Sequence, residues 1–196
     1  MRINEIAPGE RADVVKNRIA SFIKIVRTEC SDAWEAYHRN YTLLYRGVAS
    51  AVGTNMFHSM PRENRRTLTS NPKLQTYIDN ALAKTGFTAL RSNSIFCTTE
   101  GVDAASYGKP FIIFPKNGFS FTWSPDVGDL FIELGKREIS PGDLSNLSAV
   151  DIVGEFNYKN TNFDAALKSG NEIMIHGEYY ACSSDKYEDA IIKYMP

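Results

Sequence analysis

Gly170-Asn171-Glu172-Ile173-Met174-Ile175-His176-Gly177-Glu178-Tyr179-Tyr180-Ala181-Cys182 is the stretch on which the reading of the fold turns. A carboxylate heads an apolar run, a glycine follows, and a second apolar run begins two residues later. Short apolar runs rich in β-branched and aromatic residues, punctuated by glycine, predict strands over Glu172–His176 and Tyr179–Cys182. Just upstream, Asn162–Lys168 predicts a short helix that Gly170 stops. A strand has no need of a glutamate at its head. Glu172 is therefore either an exposed strand-start carboxylate or a residue kept for chemistry.

The same pattern extends backward. Ser94–Thr98, Pro110–Phe114 and Phe119–Trp123 read as strands, with a short helix over Val102–Tyr107. Lys116-Asn117-Gly118 between two aromatic runs predicts a hairpin. Val127–Leu134 fits helix or strand, and Ala149–Phe156 reads as a strand. Pro72–Lys84 predicts a helix that ends at Thr85-Gly86. Toward the start, Val14, Val15, Ile19, Phe22, Ile23, Val26, Cys30, Ala33, Trp34 and Tyr37 recur at three- and four-residue steps. They predict a helix over Glu10–Arg39 whose stripe, Trp34 included, is core. Thr42–Val48 reads as a strand interrupted by Gly47, and Ala49–Asn71 as turn-rich. The expected fold is α+β in a single domain of residues 1–196. A helical segment (1–40) precedes a core (41–196) of two packed, mostly antiparallel sheets.

Composition narrows the function classes. With 43% hydrophobic and 12% aromatic residues the chain can build a real core. A net charge of −1 gives no overall field that would draw it to nucleic acid or anionic lipid. Arg62, Arg65 and Arg66 form a local basic cluster, either a nucleic-acid contact or a solvated loop. Cys30, Cys97 and Cys182 are widely spaced, as are His38, His58 and His176, which argues against a metal site or a disulfide framework. No run approaches 18 apolar residues and the first residues lack a secretory pattern, so no membrane association and a cytoplasmic location are expected.

Two further motifs precede Glu172. In Leu43-Leu44-Tyr45-Arg46-Gly47-Val48, an arginine ends an apolar run beside a glycine. A guanidinium there can bind a diphosphate through charge-assisted hydrogen bonds, and Gly47 would let a ligand approach the backbone. In Ser94-Ile95-Phe96-Cys97-Thr98-Thr99, hydroxyls end a strand. Each motif alone has a plain structural reading: a surface arginine with a bulge glycine, and a β-branched strand. Cys97 as a nucleophile lacks a histidine partner at any readable spacing.

In this order the three motifs resemble the arginine–serine–glutamate class of mono-ADP-ribosyltransferases, which includes toxins and bacteriophage enzymes. The resemblance spans roughly Leu43 to Ser183. It implies NAD as co-substrate and a split β-sandwich fold. It also implies a macromolecular acceptor, a host or phage protein or a nucleic acid, in the host cytoplasm if the chain is phage-encoded. Arg46 would support the NAD phosphates and ribose, and the backbone at Gly47 the nicotinamide amide. Thr98 and Thr99 would bind the ribose and hold the glutamate in place, Phe96 and Tyr107 would sandwich the nicotinamide ring, and Glu172 would be catalytic. Cys97 stands where the family has its first serine, a role Ser92 or Ser94 would take in another register. Gly170 stands where the family has glutamate or glutamine, on the expectation that it shares a strand face with Glu172. Tyr158 and Phe163, in the stretch Asn157–Ser169, would touch the acceptor. The alternative is a catalytically inactive binding or virion protein of the same fold.

Overall fold

The computed structural model describes residues 12–49, 54–65 and 72–195. In chain order the elements are α1 (Ala12–Glu29), α2 (Ser31–Asn40), β1 (Tyr45–Val48), β2 (Met56–Ser59), α3 (Pro72–Lys84), β3 (Ile95–Cys97), α4 (Gly101–Ala105), β4 (Lys109–Pro115), β5 (Ser120–Trp123), α5 (Leu130–Lys136), α6 (Pro141–Ser145), α7 (Ala149–Glu155), α8 (Phe163–Ser169), β6 (Ile173–His176), β7 (Tyr179–Ser183) and α9 (Ser184–Lys193). The strands form a four-stranded sheet, β1-β4-β7-β2, and a three-stranded sheet, β3-β6-β5. The expected α+β class with two antiparallel sheets is observed. The chain divides into two compact units: Met1–Met60, Cys97–Phe119 and Gly177–Pro196 form the first, and Pro61–Phe96 and Ser120–His176 the second.

In the first unit β4 is one of the two inner strands, with Phe111, Ile112, Ile113 and Phe114 all buried. The Phe114 ring meets Phe22, Trp34 and Tyr37 at centroid distances of 5.9, 6.2 and 5.7 Å. The buried Tyr37 hydroxyl donates to the Ile113 carbonyl at 2.7 Å, so its burial leaves no unsatisfied donor. The single helix expected over Glu10–Arg39 is two, α1 and α2, with residues 10 and 11 outside the described residues. The break is at Cys30, whose φ of −126° and ψ of 33° leave the helical region. Its thiol donates to the Phe114 carbonyl at 3.3 Å, and burial pushes the thiol pKa up to about 12. The break lets both helices present their apolar stripes to the same ring. Periodicity alone reports the stripe but not the bend. The stretch read as turn-rich, Ala49–Asn71, contains β2, which pairs with β7; residues 50–53 and 66–71, Arg66 among them, lie outside the described residues.

The second unit has its own core of Leu74, Ile78, Leu82, Leu130, Leu134, Leu144, Ile152, Phe156 and Met174, built on α3. Helix α3 matches the expected span, and Val127–Leu134 resolves into α5. The strand expected over Ala149–Phe156 is helix α7. Ser148 and Asp151 cap each other's backbone N–H groups in a capping box, and Ile152 and Phe156, four residues apart, face the core while Val150 is 70% exposed. Ser140 and Asp143 do the same at the start of α6, which has too few apolar residues to announce itself. The expected hairpin at Lys116-Asn117-Gly118 is a correction as well. The turn forms, with Phe119 N–H donating to the Lys116 carbonyl, but β4 pairs with β1 and β7 while β5 pairs with β6. Likewise β6 and β7 flank Gly177 yet belong to different sheets.

Gly47 fixes the edge of the four-stranded sheet. A Cβ added there would lie 2.1 Å from the Ala104 carbonyl oxygen and 2.8 Å from Tyr107 Cβ, so α4 rests directly on the β1 backbone. The glycine makes room for this chain's own helix, where the sequence reading assigned that room to a ligand. Gly47→Ala is expected to cost about 1–3 kcal/mol through overpacking, a fall of roughly 2–12 °C in Tm for a chain of this length. A melting curve that matches the parent protein would contradict this close approach.

Candidate active site

Residues expected to bind NAD fall in both units. In the first, Tyr45 N–H donates to the Thr98 carbonyl at 2.7 Å and Thr98 N–H returns to the Tyr45 carbonyl at 2.9 Å. This bridge brings the Arg46-Gly47 edge beside Thr98 and Thr99, and the α4 contact adds Tyr107, which is 74% exposed. The Arg46 guanidinium is the electrostatic feature of this cluster. Its Nη1 is buried and has no hydrogen-bond partner among the described residues. A buried charged donor left unsatisfied costs about 1–3 kcal/mol or more, a cost that an anionic oxygen would remove. Thr98 Oγ1 accepts the Glu100 N–H at 3.1 Å at the start of α4, so this hydroxyl already serves the helix. Cys97 is buried at 3% exposure and presents no thiol at the surface.

Phe96 and Glu172 belong to the second unit. Glu172 stands immediately before β6, and its neighbour fixes the strand head: Asn171 Nδ2 donates to the carbonyls of Ser124 and Pro125 at 2.8 and 3.0 Å. Glu172 N–H donates to the Gly128 carbonyl at 3.2 Å. The carboxylate, 27% exposed, accepts a 3.0 Å bond at Oε1 from Nη1 of Arg91, whose side chain is only 4% exposed. Oε2 has no hydrogen bond among the described residues. Burial raises the carboxyl pKa, the Arg91 and Arg65 charges work against that rise, and Asp129 adds to it; the net direction is upward. Burial also opposes the Arg91 charge, but Glu172, Tyr158 and Asp79 together more than offset it, so the guanidinium stays protonated.

Arg91 is in turn anchored from α3. Asp79, itself 8% exposed, accepts the Arg91 N–H at 2.7 Å and the Ser92 N–H at 3.0 Å. The guanidinium carbon lies 4.6 Å from the Phe96 ring centroid, and that of Arg65 lies 4.5 Å from it. The ring expected to stack on nicotinamide therefore already carries two guanidinium groups. Arg65 also donates to the Ser94 carbonyl at 3.2 Å, so it is docked rather than solvated, whereas Arg62 is exposed. Tyr158, expected to touch an acceptor, is instead a core residue at 9% exposure, with its hydroxyl pKa pushed up by burial. Phe163 packs edge-on against Phe121 at 5.0 Å. Gly170 is not on the strand face of Glu172. It closes α8 in the left-handed conformation, φ 71°, where a side chain is strained; this accounts for glycine at the position. Ser94 is buried and donates to Asn93 Oδ1, leaving it no ligand to hold. Glu178 is committed to Lys116 at 2.9 Å and His58 at 3.1 Å in the first unit.

Sequence reasoning missed Arg91 and Asp79, and read Arg65 only as part of a basic cluster. The available signal was an arginine in the polar stretch immediately ahead of Ser94-Ile95-Phe96, a place where a turn would not need one. Among the described residues no cluster of His, Cys, Asp or Glu can hold a metal ion, and no helix is long and apolar enough to cross a membrane. Compared with protein-family models, curated proteins and solved structures, the chain shows no match.

The Asp79 anchor yields a direct expectation. Asp79→Ala leaves the buried Arg91 N–H and the part-buried Ser92 N–H without their acceptor, at about 1–3 kcal/mol for the buried one and less for the other. The loss in denaturant-derived stability is expected to be about 2–4 kcal/mol, while Asp79→Asn, which retains one acceptor oxygen, loses less. Equal stabilities for the two variants would contradict the anchoring role.

Proposed function

We propose that this chain is an NAD-dependent mono-ADP-ribosyltransferase with the split β-sandwich of that class, transferring ADP-ribose to a macromolecular acceptor. The observation that carries the reading is Glu172: a carboxylate at the head of a buried strand, one oxygen tied to a guanidinium and the other uncommitted at a partly open surface. Such a group suits a reaction that develops positive charge. The bond between nicotinamide nitrogen and ribose C1′ breaks, and its electron pair leaves with nicotinamide, which becomes neutral. The ribose is left as an oxocarbenium cation. Glu172 Oε2 accepts a ribose hydroxyl and opposes the cationic charge, a stabilisation that grows as the bond breaks. The acceptor nucleophile then bonds to C1′ and loses its proton. Arg46 supplies a buried donor that is unsatisfied among the described residues and suited to the diphosphate.

Support also comes from the order of the three motifs and from the two antiparallel sheets. Since Gly170 is a helix cap, the residue that chooses the acceptor lies elsewhere than two positions before Glu172.

The experiment is release of nicotinamide from labelled NAD, with and without cell lysate as acceptor source. Glu172→Gln is expected to lower kcat about 10²–10³-fold, the loss typical of one electrostatic stabiliser, without loss of fold. Arg46→Met is expected to raise the KM for NAD by about 10–150-fold, corresponding to a charge-assisted hydrogen bond of ~1.5–3 kcal/mol. Absence of nicotinamide release by the parent protein, or an undiminished rate in Glu172→Gln, would defeat the reading.

A further inference from the structure

We propose that Arg91 is the positioning residue for Glu172, fixing both the orientation and the charge of its carboxylate. The inference rests on the transferase reading for the reaction served, but its geometry stands by itself. Buried ion pairs are often replaceable by apolar side chains at no loss, so stability alone gives no reason to keep this one. Here the two partners are unequal. Arg91 is 4% exposed, whereas Glu172 is 27% exposed and engages only one of its oxygens. The arginine is held independently of the glutamate: its backbone N–H is bound by Asp79, and its guanidinium lies against the Phe96 ring. Arg91 is thus a fixed post, and Glu172 is the group it aims.

The charged and titratable groups around Glu172 set the direction of its pH response. Arg91 from the segment after α3 and Arg65 from the segment before it favour the carboxylate. Asp129 ahead of α5 disfavours it, as does burial. Asp79 and the Tyr158 hydroxyl act on Arg91 from α3 and from the segment after α7. Removing the Arg91 charge leaves burial and Asp129 opposed, among the described residues, by Arg65. Glu172 then holds its proton to higher pH, and a protonated carboxyl cannot oppose a cation. The acid limb of the pH–rate profile should therefore move upward.

The test compares Arg91→Met and Arg91→Lys with the parent protein by two readouts. The first is the ¹³C carboxyl titration of Glu172, assigned with Glu172→Gln. The second is the pH profile of nicotinamide release. In Arg91→Met the titration midpoint is expected to rise by about 1–3 pH units, the effect of losing an adjacent opposite charge. The acid limb should move with it, and kcat should fall while the KM for NAD stays near the parent value. Arg91→Lys restores the charge but not the planar fork, so its midpoint should return toward the parent value while kcat remains about 10-fold low, as expected for a carboxylate held in the wrong place. A folded Arg91→Met with an unmoved midpoint would overturn the proposal. Should Arg91→Met not fold, full kcat in Arg91→Lys would overturn it equally. If the parent protein releases no nicotinamide, the transferase reading falls while the carboxyl titration still decides the role of Arg91.

Discussion

Burying the Arg91 guanidinium obliges the second unit to place an anion beside it, and the arrangement around Glu172 follows from that obligation. An uncompensated charge in such surroundings costs several kcal/mol. The carboxylate that answers it must arrive at a defined point, which requires the head of β6 to be pinned. Asn171 does this by bridging the carbonyls of Ser124 and Pro125. The arginine must equally be kept from swinging to solvent, which Asp79 and the Phe96 ring accomplish from two other elements. Helix α3, strand β3 and strand β6 thus meet in one charge pair. Much of the unit's polar order serves to hold one carboxylate partly open.

The first unit is organised by a contact of a different kind. Its core gathers on Phe114, and the break at Cys30 exists so that two helices can share that ring. At the sheet edge, Gly47 lets α4 lie against the backbone of β1, while the Tyr45–Thr98 bridge holds the following strand end alongside. Around Arg46 the packing leaves Nη1 buried without a hydrogen-bond partner among the described residues. In the proposed reading, an arginine in that condition is free to take a phosphate oxygen.

Much of this was legible in the sequence, and the failures have identifiable causes. Helix α3 and the strands around Phe111–Phe114 and Ile173–Ile175 were plain because their apolar patterns are strong and their ends are marked by proline, glycine or charge. Ala149–Phe156 was misread because Val150, Ile152 and Val153 mimic a β-branched run; the capping residues Ser148 and Asp151 carried the correct signal. Strand partners could not be read at all. Asn117-Gly118 specifies a turn, but nothing local records that β5 leaves for the other sheet. At the candidate site, Glu172 and Arg46 were visible as polar residues at the ends of apolar runs. Arg91 was not, because its meaning depends on a partner 81 residues away. The glycine at position 170 looked like a lost side chain and is a helix cap.

In the proposed reading, the second oxygen of Glu172 receives the nicotinamide ribose while Arg91 keeps the first. A crystal structure of the protein with a non-hydrolysable NAD analogue measures this directly. The expected result is a ribose hydroxyl within about 3 Å of Glu172 Oε2, hydrogen-bond distance, with the bond from Arg91 to Oε1 unchanged. An analogue whose ribose lies away from Glu172, or a Glu172 side chain withdrawn from Arg91 on binding, would contradict it.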